Sequence, residues 1–266
     1  MLRKIVLFCI VLGLSFTLFA QRIVVNPEPT REANVLHAKR IWRVIDLREK
    51  KNVTAKWPRN PISNVLYNAA LSGKLRPYRN DSLNKWYDLE EFVAIGADTF
   101  FVKKLIDPND EDFYTIDTVV DHFKPDEKIN LLLLMEDVYF DSKTSREYSQ
   151  ITAIAPLYNK TVSNIDLGLL PLCWFKYYDR KNLESDCRQI FVNSLMYNSG
   201  NPYHKFSYMD WFEQRLFTSV IIKESNPYDL FIMDDPEVKR NGINALIKAA
   251  NVNEQKGNRE EDYYER

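Results

Sequence analysis

The fold is decided by two neighbouring stretches, N-L-L-L-L-M-E-D-V-Y-F-D at 130–141 and Y-S-Q-I-T-A-I-A-P-L-Y at 148–158. Both are rich in the branched and aromatic side chains that favour β-strands. The polar residues between them begin with D-S-K-T at 141–144, which is typical of a turn. We therefore predict an antiparallel hairpin at the centre of a sheet.

Two further stretches have the same character. Residues 114–120 precede the hairpin, and residues 167–178 follow it. In the later stretch, apolar side chains alternate onto both faces, with Leu172 and Trp174 on one side and Cys173 and Phe175 on the other. A strand covered on both faces lies inside a sheet, so we predict that 167–178 is one central strand.

Helical patterns lie on either side of this strand-rich region. Apolar residues recur near the 3.6-residue period in 33–50, and helices are also expected at 62–71, ending at Gly73, and at 88–95. After the strands, we predict helices at 183–195, at 207–217 with a capping box from Ser207, and at 236–250 with Asp235 as N-cap. The predicted fold is α+β: a central antiparallel sheet with N-terminal and C-terminal helices.

The N-terminus reads as a secretory signal peptide. Arg3 and Lys4 precede an apolar run from 5 to 19, and Ala20 offers a small residue for cleavage before Gln21. The alternative is an uncleaved membrane anchor, but the run is shorter than the ~20 residues that span a bilayer. Cys9 lies in the middle of the run, which disfavours lipidation.

These boundaries give three parts. Residues 1–20 are the signal peptide, residues 21–250 form one α+β domain, and residues 251–266 form a charged tail expected to be solvated. Within the domain, we predict a helical part at 21–110, and sheet plus helices at 111–250.

Composition excludes several classes of function. The chain has 36 basic and 37 acidic residues, so no excess of positive charge points to nucleic acid. Its seven glycines are too far apart for a dinucleotide fingerprint or a P-loop. Three histidines and three cysteines show no zinc-binding spacing. We expect no cofactor and no metal.

Two cysteines remain once the signal peptide is removed. Cys173 and Cys187 would then lie in an oxidising compartment, where a bond between them would close a loop of about 15 residues and stabilise the fold by ~3 kcal/mol. The alternative, which the sequence favours equally, is two separate buried thiols that pack as small apolar groups.

No catalytic residue is predicted. Carboxylate pairs occur at 90–91, 136–137 and 234–235, as expected in so charged a chain, and neighbours such as Glu136 and Asp137 would point to opposite faces of a strand. Aromatic residues crowd 197–231; we assign most to the core and retain Tyr203 and Tyr228 as surface anchors. The aromatic residues and acidic pairs also allow an alternative, a periplasmic carbohydrate-binding or hydrolytic protein.

Three motifs together resemble one known family. They are I-W-R-V-I-D-L-R-E-K at 41–50, A-A-L-S-G-K-L-R-P-Y at 69–78 and F-T-S-V-I-I-K-E-S-N-P-Y-D at 217–229. The chain is similar, over nearly its whole mature length, to the gliding-motility family GldN, also called PorN.

The resemblance implies a non-enzymatic component of the type IX secretion system of Bacteroidetes-type bacteria. Such proteins are periplasmic and form rings with the outer-membrane lipoprotein GldK/PorK. Through GldL/PorL and GldM/PorM the ring is associated with an inner-membrane motor. We therefore expect self-association, attachment to the outer membrane through the lipoprotein and no membrane span. The candidate partner contacts are Trp42, Arg43, Tyr203 and Tyr228.

Overall fold

The computed structural model describes residues 31–105, 114–162, 165–178, 186–198, 200–201, 203, 206–238 and 241–264. The predicted signal peptide and its cleavage site, Ala20 and Gln21, lie outside these residues. The α+β fold is confirmed: an antiparallel sheet is packed against several helices.

The strands are β1 Val35–Asp46, β2 Asp98–Leu105, β3 Tyr114–Asp121, β4 Ile129–Asp141, β5 Arg146–Val162, β6 Ile165–Pro171, β7 Phe175–Lys176, β8 Leu195–Met196, β9 Phe206–Ser207 and β10 Val220–Glu224. The helices are α1 Ile62–Leu71, α2 Leu89–Ala94, α3 Pro125–Lys128, α4 Cys187–Asn193, α5 Tyr208–Glu213 and α6 Gly242–Tyr264. Short 3₁₀ helices occur at Glu32–Asn34, Val53–Lys56 and Ile232–Asp234.

The main sheet has the order β10-β1-β4-β5-β6, and β7 also pairs with β5. The β4–β5 hairpin is present as predicted, with Asp141 opposite Arg146 at its turn. Ser145 in that turn has φ +51°, a left-handed conformation that completes the chain reversal. β2 and β3 pair antiparallel in a separate two-stranded sheet.

The helix predicted at 33–50 is wrong, because Val35–Asp46 forms β1, a strand inside the sheet. β1 pairs with β4 on one side and with β10 on the other. Its side chains are buried on both faces: Ile41 and Ile45 contribute to two cores on one face, and Trp42 to a third core on the other. A strand buried on both faces carries an apolar run that imitates helical periodicity. The N-terminal part is therefore not wholly helical.

The single central strand predicted at 167–178 is also wrong. It is divided into β6 and β7 by a break at Leu172–Trp174, where Trp174 exchanges backbone hydrogen bonds of 2.7 and 2.8 Å with Tyr78. β6 lies at the edge of the sheet, and its Leu167 and Leu169 are exposed. Gly168, with φ +80°, bends this edge strand.

Among the described residues, three apolar cores hold the sheet. The largest lies on one face beneath α1, α4 and α5, and includes Ile45, Leu134 and Trp211. On the same face, α6 covers a smaller core around Val138. The opposite face has its own core, to which Trp42 and Trp174 belong, closed by the segment that carries Tyr78.

Several local predictions are confirmed. α1 occupies the predicted residues and is followed by Gly73 with φ +71°, and α2 begins with a capping box from Asp88. The predicted capping box of Ser207 and Asp210 starts α5, which is shorter than expected because Gln214 and Arg215 turn away. Of the helix predicted at 183–195, residues 187–193 form α4, whereas Leu195 begins β8 and is not helical.

The C-terminus differs from the prediction. Asp235–Pro236 opens a turn instead of a helix, and α6 begins at Gly242 and continues to Tyr264. Most of the predicted solvated tail is therefore helical. Among the helices described, none combines the length and the apolar character needed to cross a membrane.

Candidate interaction surface

A tight loop after β10 is fixed by the side chain of Asn226. Its Oδ1 accepts hydrogen bonds from the backbone N–H groups of Tyr228, at 3.1 Å, and Leu230, at 3.0 Å. Its Nδ2 donates to the carbonyl oxygens of Glu224 and Leu230, both at 2.8 Å. One amide thus satisfies four backbone groups, which favours a single loop conformation.

An ion pair fastens the same loop to the sheet. Lys223 is buried, and its Nζ lies 2.6 Å from Oδ1 of Asp229. The backbone of Asp229 is left-handed, with φ +55°. The ammonium also lies 4.6 Å from the ring centre of Trp42 and 5.1 Å from that of Phe231. A carboxylate and the face of an aromatic ring both attract an ammonium group that has lost its water of hydration. The contacts of Lys223 therefore hold the loop at a second point.

Tyr228 is presented at the tip of this fixed loop. Its side chain is 81% exposed although the backbone beside it is hydrogen-bonded. It lines a cleft of about 590 Å³ with Asn226, Leu230, Pro236 and Val252. An exposed aromatic side chain on a hydrogen-bonded loop beside a cleft suits protein recognition, because little backbone entropy is lost on binding. We call this cleft the loop groove.

The first half of α6 forms the other side of the surface. Ala249 is buried against the sheet, whereas Ile243, Leu246 and Ile247 are 69, 57 and 54% exposed. With Met233 at its edge, this apolar face borders a second cleft of about 700 Å³ between α6, the 3₁₀ helix Ile232–Asp234 and β10. We call this the helix groove.

A polar clamp positions α6. Lys248 Nζ donates to Oδ2 of Asp235 at 2.5 Å and contacts Oε2 of Glu237 at 3.3 Å. The hydrogen bond from Lys248 lowers the pKa of Asp235, and the same bond raises the pKa of Lys248. Both shifts stabilise the charged forms, so the clamp is closed at neutral pH.

A buried ionic cluster lies on the face of the sheet that α6 covers, between the largest core and the smaller core around Val138. The carboxylate of Glu136 is fully buried, with Oε1 2.8 Å from Arg215 Nη1 and Oε2 3.1 Å from Arg43 Nε. The Arg43 contact is an ion pair without hydrogen-bond alignment, and burial lowers the pKa of that guanidinium. Ser149 also donates to Glu136 at 3.2 Å.

This cluster joins β1, β4, β5 and the segment after α5. Asp137, on the opposite face of β4 as predicted, binds Arg40. Glu136 is therefore enclosed by two cations and is not placed to exchange protons with a substrate.

One comparison with known proteins is decisive. The model of the family described as "Gliding motility associated protein GldN" matches residues 30–265. The chain belongs to the GldN family. A search of curated proteins found no match. As a GldN-family protein, it is a component of the gliding motility and type IX secretion machinery, and such a component associates with other parts of that machinery.

The predicted contact residues of this GldN-family protein separate into two groups. Tyr203 is 97% exposed, and Tyr228, on the loop groove, is 81% exposed. Trp42 and Arg43 are only 8% exposed, so the expectation that they contact a partner is corrected. Trp42 packs in the core beneath Lys223, and Arg43 binds Glu136, because β1 lies inside the sheet.

Cys173 and Cys187 are both free thiols in the largest core. Burial raises the pKa of each thiol well above its ordinary value, which keeps both protonated and unreactive.

The sequence reasoning missed the apolar face of α6. Ile243, Leu246, Ile247 and Ala250 follow the spacing of one helix face, while Ala245, Ala249 and Val252 follow another. When a helix has two apolar faces and packs one of them against a sheet, the other face stays exposed. The second apolar face was therefore visible in the sequence and could have predicted an exposed apolar surface on α6.

Proposed function

We propose that this GldN-family protein is a non-enzymatic structural subunit of the secretion machinery, exported to the periplasm. In this proposal many copies form a ring with an outer-membrane lipoprotein of the GldK/PorK type. The ring meets the motor proteins of the GldL/PorL and GldM/PorM types, and the lipoprotein attaches it to the outer membrane.

The observation that supports this role is the loop groove. Tyr228 is exposed on a loop that Asn226 and the Lys223–Asp229 ion pair hold in one conformation. Tyrosine is enriched at protein interfaces because its ring buries a large area while its hydroxyl keeps a polar partner. We assign the lipoprotein to this groove.

Binding of a protein accounts for the surface better than hydrolysis of a sugar. The acidic pair that a hydrolase would need is divided between two faces of β4, and Glu136 is bound to Arg43 and Arg215. The pair at 234–235 is tied to structure through Asp235, which binds Lys248.

The test is co-purification with a lipoprotein of the GldK/PorK type. We expect Tyr228→Ala to weaken the complex by about 30-fold or more, which corresponds to the ~2 kcal/mol of an interface hot spot. Tyr148→Ala is the control, since it removes a tyrosine side chain that is 38% exposed on β5 and does not line the loop groove. Full affinity in Tyr228→Ala, or equal losses in both variants, would refute the assignment to the loop groove.

Export is tested separately. Mass spectrometry of the native protein from a periplasmic fraction should find an N-terminus at Gln21. An intact N-terminus in the cytosol would contradict the periplasmic role.

A further inference from the structure

A pocket beside the start of β5 is separate from both grooves. It has a volume of about 140 Å³, and its lining includes the tyrosines Tyr139, Tyr148, Tyr177 and Tyr178. A protein cavity of ~150 Å³ admits benzene, so this pocket has room for one six-membered ring and not for a row of them. We call it the tyrosine pocket.

The carboxylate of Glu213 is fixed in the wall of this pocket. Its Oε1 accepts hydrogen bonds from the hydroxyl of Tyr177 and from Nε of Arg188, both at 3.0 Å. Those two partners are buried, whereas the side chain of Glu213 is 45% exposed. A carboxylate has about four acceptor sites, so Glu213 can also accept from the hydroxyl groups of a ligand.

Arg215 supplies donors in the same pocket. Its Nη1 donates to Oε1 of Glu136 at 2.8 Å, and its Nη2 donates to the carbonyl and the hydroxyl oxygens of Ser149, both at 3.0 Å. A guanidinium has more N–H donors than these bonds use. The side chain is 33% exposed and lines the pocket, so Arg215 can bind a ligand there.

The ionic cluster behind Arg215 has an excess of positive charge. Two guanidinium groups, those of Arg43 and Arg215, share the single carboxylate of Glu136. One positive charge is therefore not balanced within the cluster, and charges in a protein interior are most stable when they are paired. Arg215 is the member of the cluster that lines the pocket, so an anion bound beside it would balance the charge.

The polar atoms of the lining disfavour a purely aromatic ligand. A benzene-like ring would take water away from Ser149, Gln150 and Glu213 without replacing the hydrogen bonds, which costs free energy. A pyranose differs, because C–H groups cover its two faces and hydroxyl groups project from its edge. The faces can pack on tyrosine rings while the hydroxyl groups pair with the polar atoms.

We propose that the tyrosine pocket binds one pyranose that carries a carboxylate. The carboxylate lies against Arg215, where charge-assisted hydrogen bonds are strong, and ring hydroxyl groups donate to Glu213. Sugars of this class occur as uronic acids in polysaccharides and as N-acetylmuramic acid in cell-wall glycan. The proposal depends neither on a ring nor on the lipoprotein, because the site is separate from the loop groove.

The test is an NMR titration of the isotope-labelled chain from Gln21 to Arg266. D-glucuronate and N-acetylmuramate are the two probes, and the acid that binds more tightly identifies the source of the sugar. For a single ring we expect a dissociation constant of about 1 mM, with amide shifts at residues 148–151 and 213–215. If neither acid shifts these amides at about 20 mM, the proposal is overturned.

Two further probes separate the sugar ring from its carboxylate. D-glucose has the ring and the hydroxyl groups without the charge, and benzoate has a carboxylate on a ring without hydroxyl groups. Each should bind at least ~10-fold more weakly than the preferred acid. Equal binding of glucose would show that no carboxylate is selected, and equal binding of benzoate would show that no hydroxyl group is recognised. Either result would contradict the proposal.

Arg215→Gln tests the assigned position of the carboxylate. This variant should bind the preferred acid at least ~10-fold more weakly than the parent does. Arg40→Gln is the matched control, because Arg40 also pairs with a carboxylate of β4, that of Asp137, but does not line the pocket. The amide spectrum shows whether each variant is folded. Full affinity in folded Arg215→Gln would refute the proposal, and if that variant does not fold, the comparison of acid with glucose in the parent decides.

Discussion

Replacing Glu136 by glutamine tests the buried ionic cluster. The substitution keeps the shape of the side chain and removes its charge, which leaves Arg43 and Arg215 close together without a counter-charge. Glu136 is 0% exposed and the side chain of Arg43 is 10% exposed, so water cannot replace the lost carboxylate there.

The magnitude follows from these exposures. Removing one partner of a fully buried ion pair costs about 3–5 kcal/mol. The side chain of Arg215 is 33% exposed and can regain some hydration, so we expect a loss near the lower limit, about 3 kcal/mol. For a domain of this size, the midpoint of thermal unfolding should fall by roughly 6–12 °C.

The control is the next residue in the chain. Asp137 also binds an arginine, Arg40, with distances of 2.6 and 3.0 Å, but the two side chains are 40 and 41% exposed. Asp137→Asn should therefore cost less than about 1 kcal/mol.

Urea unfolding, followed by tryptophan fluorescence, gives both free energies of unfolding. Added salt should reduce the small effect at Asp137 and change the effect at Glu136 much less, because buried pairs are poorly screened. Equal losses in the two variants would show that Glu136 is solvated in the native protein and would refute the reasoning.

Two other predictions concern the cores. An ideal Cβ at Gly96, φ +75°, lies 2.5 Å from Cδ2 of Phe123, so Gly96→Ala should lower the free energy of unfolding by ~2–3 kcal/mol in urea titrations. Gly73→Ala, at φ +71° with no neighbouring atom within 4 Å, should cost about 1 kcal/mol, and equal costs would contradict the steric argument. In the chain from Gln21 to Arg266, which lacks Cys9, Ellman's reagent should react with Cys173 and Cys187 only after unfolding, giving two thiols without reductant. If the unfolded chain shows no thiol, the two cysteines form a disulfide.

The hairpin, α1, α2 and the start of α5 were predictable because their signals are local. A turn sequence joins β4 to β5, Gly73 follows α1, and Ser207 with Asp210 forms a capping box within one helical turn. Tyr228 was also predicted to be exposed, because aromatic residues beyond the needs of the core are visible in the sequence, and its side chain is 81% exposed.

β1 could not be found in this way. Its pairing partners are β4 and β10, which are far away in the chain, and Ile41 and Trp42 are buried in cores on opposite faces of the sheet. The apolar pattern of such a strand fits a helix equally well until those partners are placed. The same strand buries Trp42 and Arg43, two of the predicted partner contacts.

The sequence by itself determined the family, the α+β class, the local caps and turns and the excess of aromatic residues. The tertiary structure alone decided which residues remain outside: it buried Arg43 against Glu136 and left Leu246 and Tyr228 exposed. The physical reason is that burial depends on elements far apart in sequence, and no local pattern specifies which of two apolar faces finds a partner.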